Sequence, residues 1–146
     1  GMKEEGEKVM NSVNSLLKFG KHDIKLIQTG ESEAIACYKK LNADALLVDE
    51  RTTRHLVEDM LKLKQYMESR TGYSLQINES GKREVEKIVE GISILRSSEL
   101  FASSFERGVF KKFTDHEILE AGLLSLKFSG CSITDEEIEQ YKELLS

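Results

Sequence analysis

Four carboxylates fall in two short clusters, each placed where a strand would give way to a helix. Glu31 and Glu33 lie in the run Gly30, Glu31, Ser32, Glu33, Ala34, Ile35, while Asp49 and Glu50 follow the apolar run Ala45, Leu46, Leu47, Val48. Hard divalent cations such as Mg²⁺ and Mn²⁺ take oxygen ligands, so carboxylates gathered at such junctions can hold one. A metal held there can activate water and stabilise an in-line phosphodiester displacement. Arg51 and Arg54 come next in the chain, and a guanidinium offers the planar fork of donors that phosphate accepts. Plainer roles are open to the same residues. Asp49 suits the start of the following helix, Glu31 and Glu33 suit a helix's first turn, and both arginines could pair with nearby acids.

The elements that must position these groups follow from the hydrophobic pattern. Val9, Val13, Leu16 and Leu17 recur at helical spacing over residues 3–19, with Gly20 as a stop. Residues 24–27 read as a strand, broken at Thr29 and Gly30, and a helix follows through Ala34, Ile35, Cys37, Tyr38 and Leu41. The four consecutive apolar residues 45–48 suggest a strand buried on both faces, as in a parallel sheet. Leu56, Val57, Met60, Leu61, Leu63, Tyr66 and Met67 then predict one long helix over residues 53–70. A further helix carries Val85, Ile88 and Val89, residues 92–95 form a third strand, and a helix runs from Ser98 to Gly108. Ser97, Ser98 and Glu99 either cap that helix or face the acids. Capping boxes at Thr114 to Glu117 and Thr134 to Glu137 open the last two helices. The expected fold class is α/β, a small parallel sheet flanked by helices with a C-terminal helical hairpin. Ligands of such sheets collect beyond the carboxyl ends of the strands, where the two acidic clusters lie.

Composition bounds the partners. A length of 146 residues predicts a single domain over 1–146. Proline is absent, where average usage of about 5% would supply several, so no helix meets a proline breaker. Hydrophobic residues at 39% supply a core. The net charge is −5, and residues 92–146 hold six basic against ten acidic groups, which disfavours duplex DNA held by bulk charge. Cys37 and Cys131 form no metal-ligand spacing, and a reduced, cytoplasmic setting is expected. No apolar run reaches the length of a membrane span, and no signal-peptide pattern opens the sequence. Gly1 reads as a tag remnant before a native Met2. His22, His55 and His116 are scattered and read as ordinary surface histidines, and Cys37 as a buried small apolar side chain.

Two segments together resemble the middle of a PIN-like domain: Gly30 to Ala36, and Ala43 to Arg54 with its Leu46, Leu47, Val48, Asp49, Glu50 core. The likeness is best over residues 24–57 and extends loosely to Gly108, giving a PIN-like portion of 1–113. It implies a ribonuclease dependent on Mg²⁺ or Mn²⁺, with RNA as substrate. Glu33 then matches the family's mid-chain acid and Asp49 the acid after the following strand, with Glu31 and Glu50 as further metal ligands. Arg51 and Arg54 would contact nucleic acid. The sequence departs from the family at its start. PIN-like domains open on a central strand ending in an essential Asp, whereas the residues before Gly30 read as a helix. The portion is thus N-terminally incomplete, two carboxylates hold a divalent ion less well than three or four, and a homodimer could restore the sheet.

The hairpin of residues 114–146 places Leu119, Leu123, Leu124, Leu126, Phe128, Ile133, Ile138, Tyr141 and Leu144 at helical spacing. Its second helix carries Asp135, Glu136, Glu137, Glu139 and Glu143, which would repel DNA phosphate. Packing on the domain or on a partner subunit is expected instead. Two functions stand side by side: a metal-dependent endoribonuclease, inactive if its metal site is incomplete, and a non-catalytic interaction or dimerisation domain. A phosphoacceptor role for Asp49 is a weaker third, since the acidic pair it would need after an earlier strand is missing.

Overall fold

The computed structural model describes residues 1–110 and 116–145. The chain is mostly helical, with eight helices among the described residues, a three-stranded antiparallel sheet and a two-stranded parallel pair. It forms two compact units, one of residues 1–46 and 51–94, the other of residues 47–50 and 95–146. No described helix is long and apolar enough to cross a membrane.

The first unit opens with α1 (Met2–Asn14), β1 (Leu17–Phe19) and β2 (His22–Asp23), followed by α2 (Thr29–Leu41). After β3 (Leu46–Leu47), at the edge of the unit, come α3 (Arg51–Glu58), α4 (Met60–Thr71), β4 (Gln76–Ile77) and α5 (Glu79–Val89). The sheet order is β2-β1-β4, both pairings antiparallel, with Lys18 opposite Asp23 and Leu17 opposite Ile77. Val13, Leu16, Leu17, Ile27, Ile35, Leu56, Leu63, Leu75 and Val85 are the most fully buried apolar side chains of this unit.

Three local expectations are corrected here. The first helix ends at Asn14, because Leu16 and Leu17 are both buried and Leu17 starts the sheet. Residues 24–27 are not a strand. The Asn14 side chain takes the role of a neighbouring strand: its Oδ1 accepts from Leu26 N–H at 2.8 Å and Ile27 N–H at 3.0 Å, while its Nδ2 donates to Ile27 O at 3.0 Å. The helix foreseen over residues 53–70 breaks at Asp59, whose carboxylate accepts from Leu61 N–H at 2.9 Å and Lys62 N–H at 3.1 Å. An aspartate that satisfies the free N–H groups of a new helix ends the old one.

Glycine at position 6 has a packing reason. A Cβ there would lie 2.8 Å from Glu33 Cγ and 3.3 Å from Glu33 Cα, so α1 crosses directly over the backbone of α2. Gly30, on the same helix as Glu33, has open space where a Cβ would be. Adding a methyl group at each should therefore act in opposite directions. Gly6→Ala should lower the unfolding free energy by about 1 kcal/mol, overpacking outweighing the gain in helix propensity. Gly30→Ala should raise it by about 0.5 kcal/mol. Urea unfolding of the two variants checks the contrast.

The second unit contains β5 (Ile94–Leu95, beginning at the unit's edge), α6 (Ser97–Glu106), α7 (His116–Phe128) and α8 (Asp135–Leu144). β3 and β5 form the parallel pair, through Leu46 N–H to Ser93 O at 2.8 Å and Val48 N–H to Leu95 O at 2.9 Å. A parallel sheet is therefore present but has two short strands. Leu47 is 54% exposed, so the run 45–48 is not buried on both faces as expected. The foreseen helical hairpin is present: Leu119, Leu123, Cys131, Ile133 and Ile138 form its buried cluster, with Phe101, Phe105 and Tyr141 packed against it. Phe128 and Leu144, expected in that core, are 86% and 78% exposed, because each sits in the last turn of its helix. The box at Thr134 forms as foreseen, Thr134 Oγ1 accepting from Glu137 N–H at 3.1 Å and Glu137 Oε2 accepting from Thr134 N–H at 2.8 Å. The box assigned to Thr114 and Asp115 lies outside the described residues.

Candidate functional site

Asp49 follows β3 and Ser97 follows β5, so the parallel pair brings both side chains to its carboxyl end. Each oxygen of the carboxylate accepts a hydrogen bond from Ser97. Oδ1 accepts the Ser97 N–H at 2.7 Å and Oδ2 accepts the Ser97 hydroxyl at 2.7 Å. The Cys131 thiol also donates to this carboxylate. Asp49 thus caps α6 across 48 positions of sequence rather than the helix that follows it in the chain. Burial alone would raise its pKa, but the Ser97 and Cys131 hydrogen bonds and the Arg96 charge outweigh that and hold it below 3.8. The Asp49 carbonyl accepts from Ser132 N–H at 3.1 Å, which ties the strand end to the loop before α8.

Arg96 sits beside this capped end and is 7% exposed. Its Nη2 lies 3.1 Å from Glu99 Oε1 and 2.9 Å from Glu137 Oε1, and its Nη1 donates to Ser132 O at 3.0 Å. Burial opposes its charge, yet the Glu137 and Glu99 carboxylates raise its pKa above the ordinary arginine value. Glu99 Oε2 accepts the Arg96 N–H at 2.8 Å, completing the α6 start. Of the two parts weighed for this segment, Glu99 takes the capping one and Ser97 faces the acid Asp49.

Glu31, Glu33, Arg51 and Arg54 belong to the first unit, Asp49 and Glu50 to the second. Glu31 reaches back to accept the Gln28 N–H at 3.0 Å, a first-turn capping role. Glu33 lies half-buried under α1 at Gly6, and Glu50 is exposed just before α3. Among the described residues no three His, Cys, Asp or Glu side chains gather closely enough to hold a metal ion. Asp49 thus has no second and third carboxylate gathered beside it among the described residues to complete a shell, and this donor set does not fit a resident Mg²⁺ or Mn²⁺.

No protein-family model, curated protein or solved structure matches the chain. The site must be read from its own chemistry.

A second cluster forms where α3 and α4 face each other. Arg51 and His55 are one turn apart on α3, as Tyr66 and Arg70 are on α4. The Arg51 and Arg70 guanidinium carbons lie 5.6 and 5.7 Å from the Tyr66 ring centroid, and the His55 ring meets Tyr66 edge-on at 5.5 Å. His55 is thus no ordinary surface histidine: its Nδ1 is buried without a hydrogen-bond partner among the described residues. Burial, then the Arg54, Arg51 and Lys62 charges, lower its pKa below 6.5 against the opposing pull of Glu58. Arg54 has its Nε 3.8 Å from Glu58 Oε2, so the plainer reading, pairing with an acid, applies to it. Tyr66 and Arg70 were missed as functional candidates, although their spacing of four marks them as neighbours on one helix face.

Proposed function

We propose that the chain is a non-catalytic interaction domain in which the acids that suggested a metal centre serve the fold. The Asp49 carboxylate carries this reading, since Ser97 engages both of its oxygens at 2.7 Å and commits them to the start of α6. Glu31, held on the Gln28 N–H, supports it. The ribonuclease reading draws on the position of Asp49 and Ser97 at the carboxyl end of the parallel pair. The two make opposite predictions for one measurement. In a calorimetric titration with manganese, the interaction domain should give no saturable heat at millimolar metal, or heat unchanged in Glu33→Gln and Asp49→Asn. Saturable binding lost in both variants would overturn the proposal in favour of a metal-dependent nuclease.

A further inference from the structure

The interaction domain proposed above needs a partner, and the α3–α4 cluster has the chemistry to choose one. Neither Arg51 nor Arg70 makes an ion pair with an acid among the described residues; each is instead set against the same Tyr66 ring. A contact of this kind sets no carboxylate against the guanidinium N–H donors, most of which stay available to an anion. For Arg70, one of them reaches the Tyr66 hydroxyl at 3.4 Å, and the side chain is otherwise exposed. The local charge is positive in a chain whose net charge is −5, with Arg54 and Lys62 adding to it and Glu58 the acid that offsets Arg54.

We infer that Arg51 and Arg70, pre-set around Tyr66, are a phosphate-binding pair that receives the backbone of a single-stranded oligonucleotide. A phosphate presents paired oxygens that match the guanidinium fork. Two forks beside one ring, each able to take its own phosphate, suit a flexible polyanion better than a single free ion. A duplex held by bulk charge needs an extended basic face, and this chain carries a net charge of −5. The inference rests on the non-catalytic reading, because a strand held here is bound and left intact.

The test is fluorescence anisotropy with a short labelled single-stranded oligoribonucleotide in EDTA, with the duplex of the same sequence and inorganic phosphate as competitors. The wild-type chain should bind the single strand. Arg51→Gln with Arg70→Gln should weaken binding by about tenfold or more. The same pair should flatten the slope of log K against log salt by about 1.4, because two phosphates are no longer neutralised. Arg70→Gln alone, at an exposed position, should show about half of that flattening and keeps the test valid if the double variant unfolds. Lys21→Gln with Lys25→Gln removes the same charge at exposed positions elsewhere and should bind like wild type. Ring resonances of His55 and Tyr66 should shift on titration. Absence of binding, equal loss in the lysine variant, or displacement by the duplex at lower concentration than by the single strand would overturn the inference. So would phosphate competing as well as the strand, which would mean a free-anion site only. Adding manganese separates the two proposals: cleavage of the bound strand would overturn the non-catalytic reading and leave this site standing.

Discussion

Replacing Arg96 with alanine should lower the unfolding free energy by about 3 kcal/mol, the low end for breaking a buried ion pair because its partners remain partly open to water. Arg96 is 7% exposed and touches three places at once: Glu99 on its own helix, Glu137 on α8 and the Ser132 carbonyl between α7 and α8. Truncation removes the guanidinium that lies between the Glu137 carboxylate, 32% exposed, and Glu99. It also leaves the Ser132 carbonyl without this donor. Glu137→Gln should be milder, about 1 kcal/mol, since Arg96 keeps Glu99 and the carbonyl. A double-mutant cycle in urea, read at neutral pH, checks both figures. If Arg96→Ala costs no more than Glu137→Gln, the guanidinium is not the centre of this network.

The order of helices and most apolar faces were legible because their signal is local. The hairpin of α7 and α8 follows from leucines at helical spacing and from the box at Thr134, which involves residues three apart. What sequence reading missed depends on partners distant in the chain. Residues 24–27 have a strand's composition, but Asn14, more than ten positions upstream, supplies the hydrogen bonds of Leu26 and Ile27, and nothing in the segment itself announces that. The break at Asp59 was visible as a capping residue inside a helical pattern, yet hydrophobic periodicity runs through it unbroken. At the candidate site, Asp49 and Ser97 both drew notice in the sequence, but their meaning depended on distance. An aspartate after a strand looks the same in sequence whether it awaits a metal or already holds a serine. The arginine pair around Tyr66 shows the converse case. Arg51 was singled out beside the acids as a phosphate contact, and its guanidinium carbon lies 5.6 Å from the centroid of an aromatic ring on the next helix.

Asp49 should prove a structural residue whose contribution fades in acid. Its carboxylate accepts two hydrogen bonds from Ser97, and a bond to an ionised group contributes about 1.5–3 kcal/mol when made. Asp49→Ala leaves the Ser97 N–H at the start of α6 without its acceptor, and should lower the unfolding free energy by about 2 kcal/mol at neutral pH. Asp49→Asn keeps one acceptor oxygen and should lose about half as much. The sign of the pH dependence follows from the lowered pKa. In the unfolded chain Asp49 takes up a proton near 3.8, whereas in the folded chain it does so only at lower pH. Between those two points the unfolded state binds more protons, so stability from this group is fully present above 3.8 and falls as pH drops through the folded value. Wild type and Asp49→Asn should therefore differ most near neutrality and converge as the pH is taken below 3.8, a result that urea midpoints collected across that range would show. A metal-ligand carboxylate with no structural work would behave the other way. Neutralising it would relieve charge and leave the stability unchanged or raised, and the Asp49→Asn curve would lie at or above wild type at neutral pH.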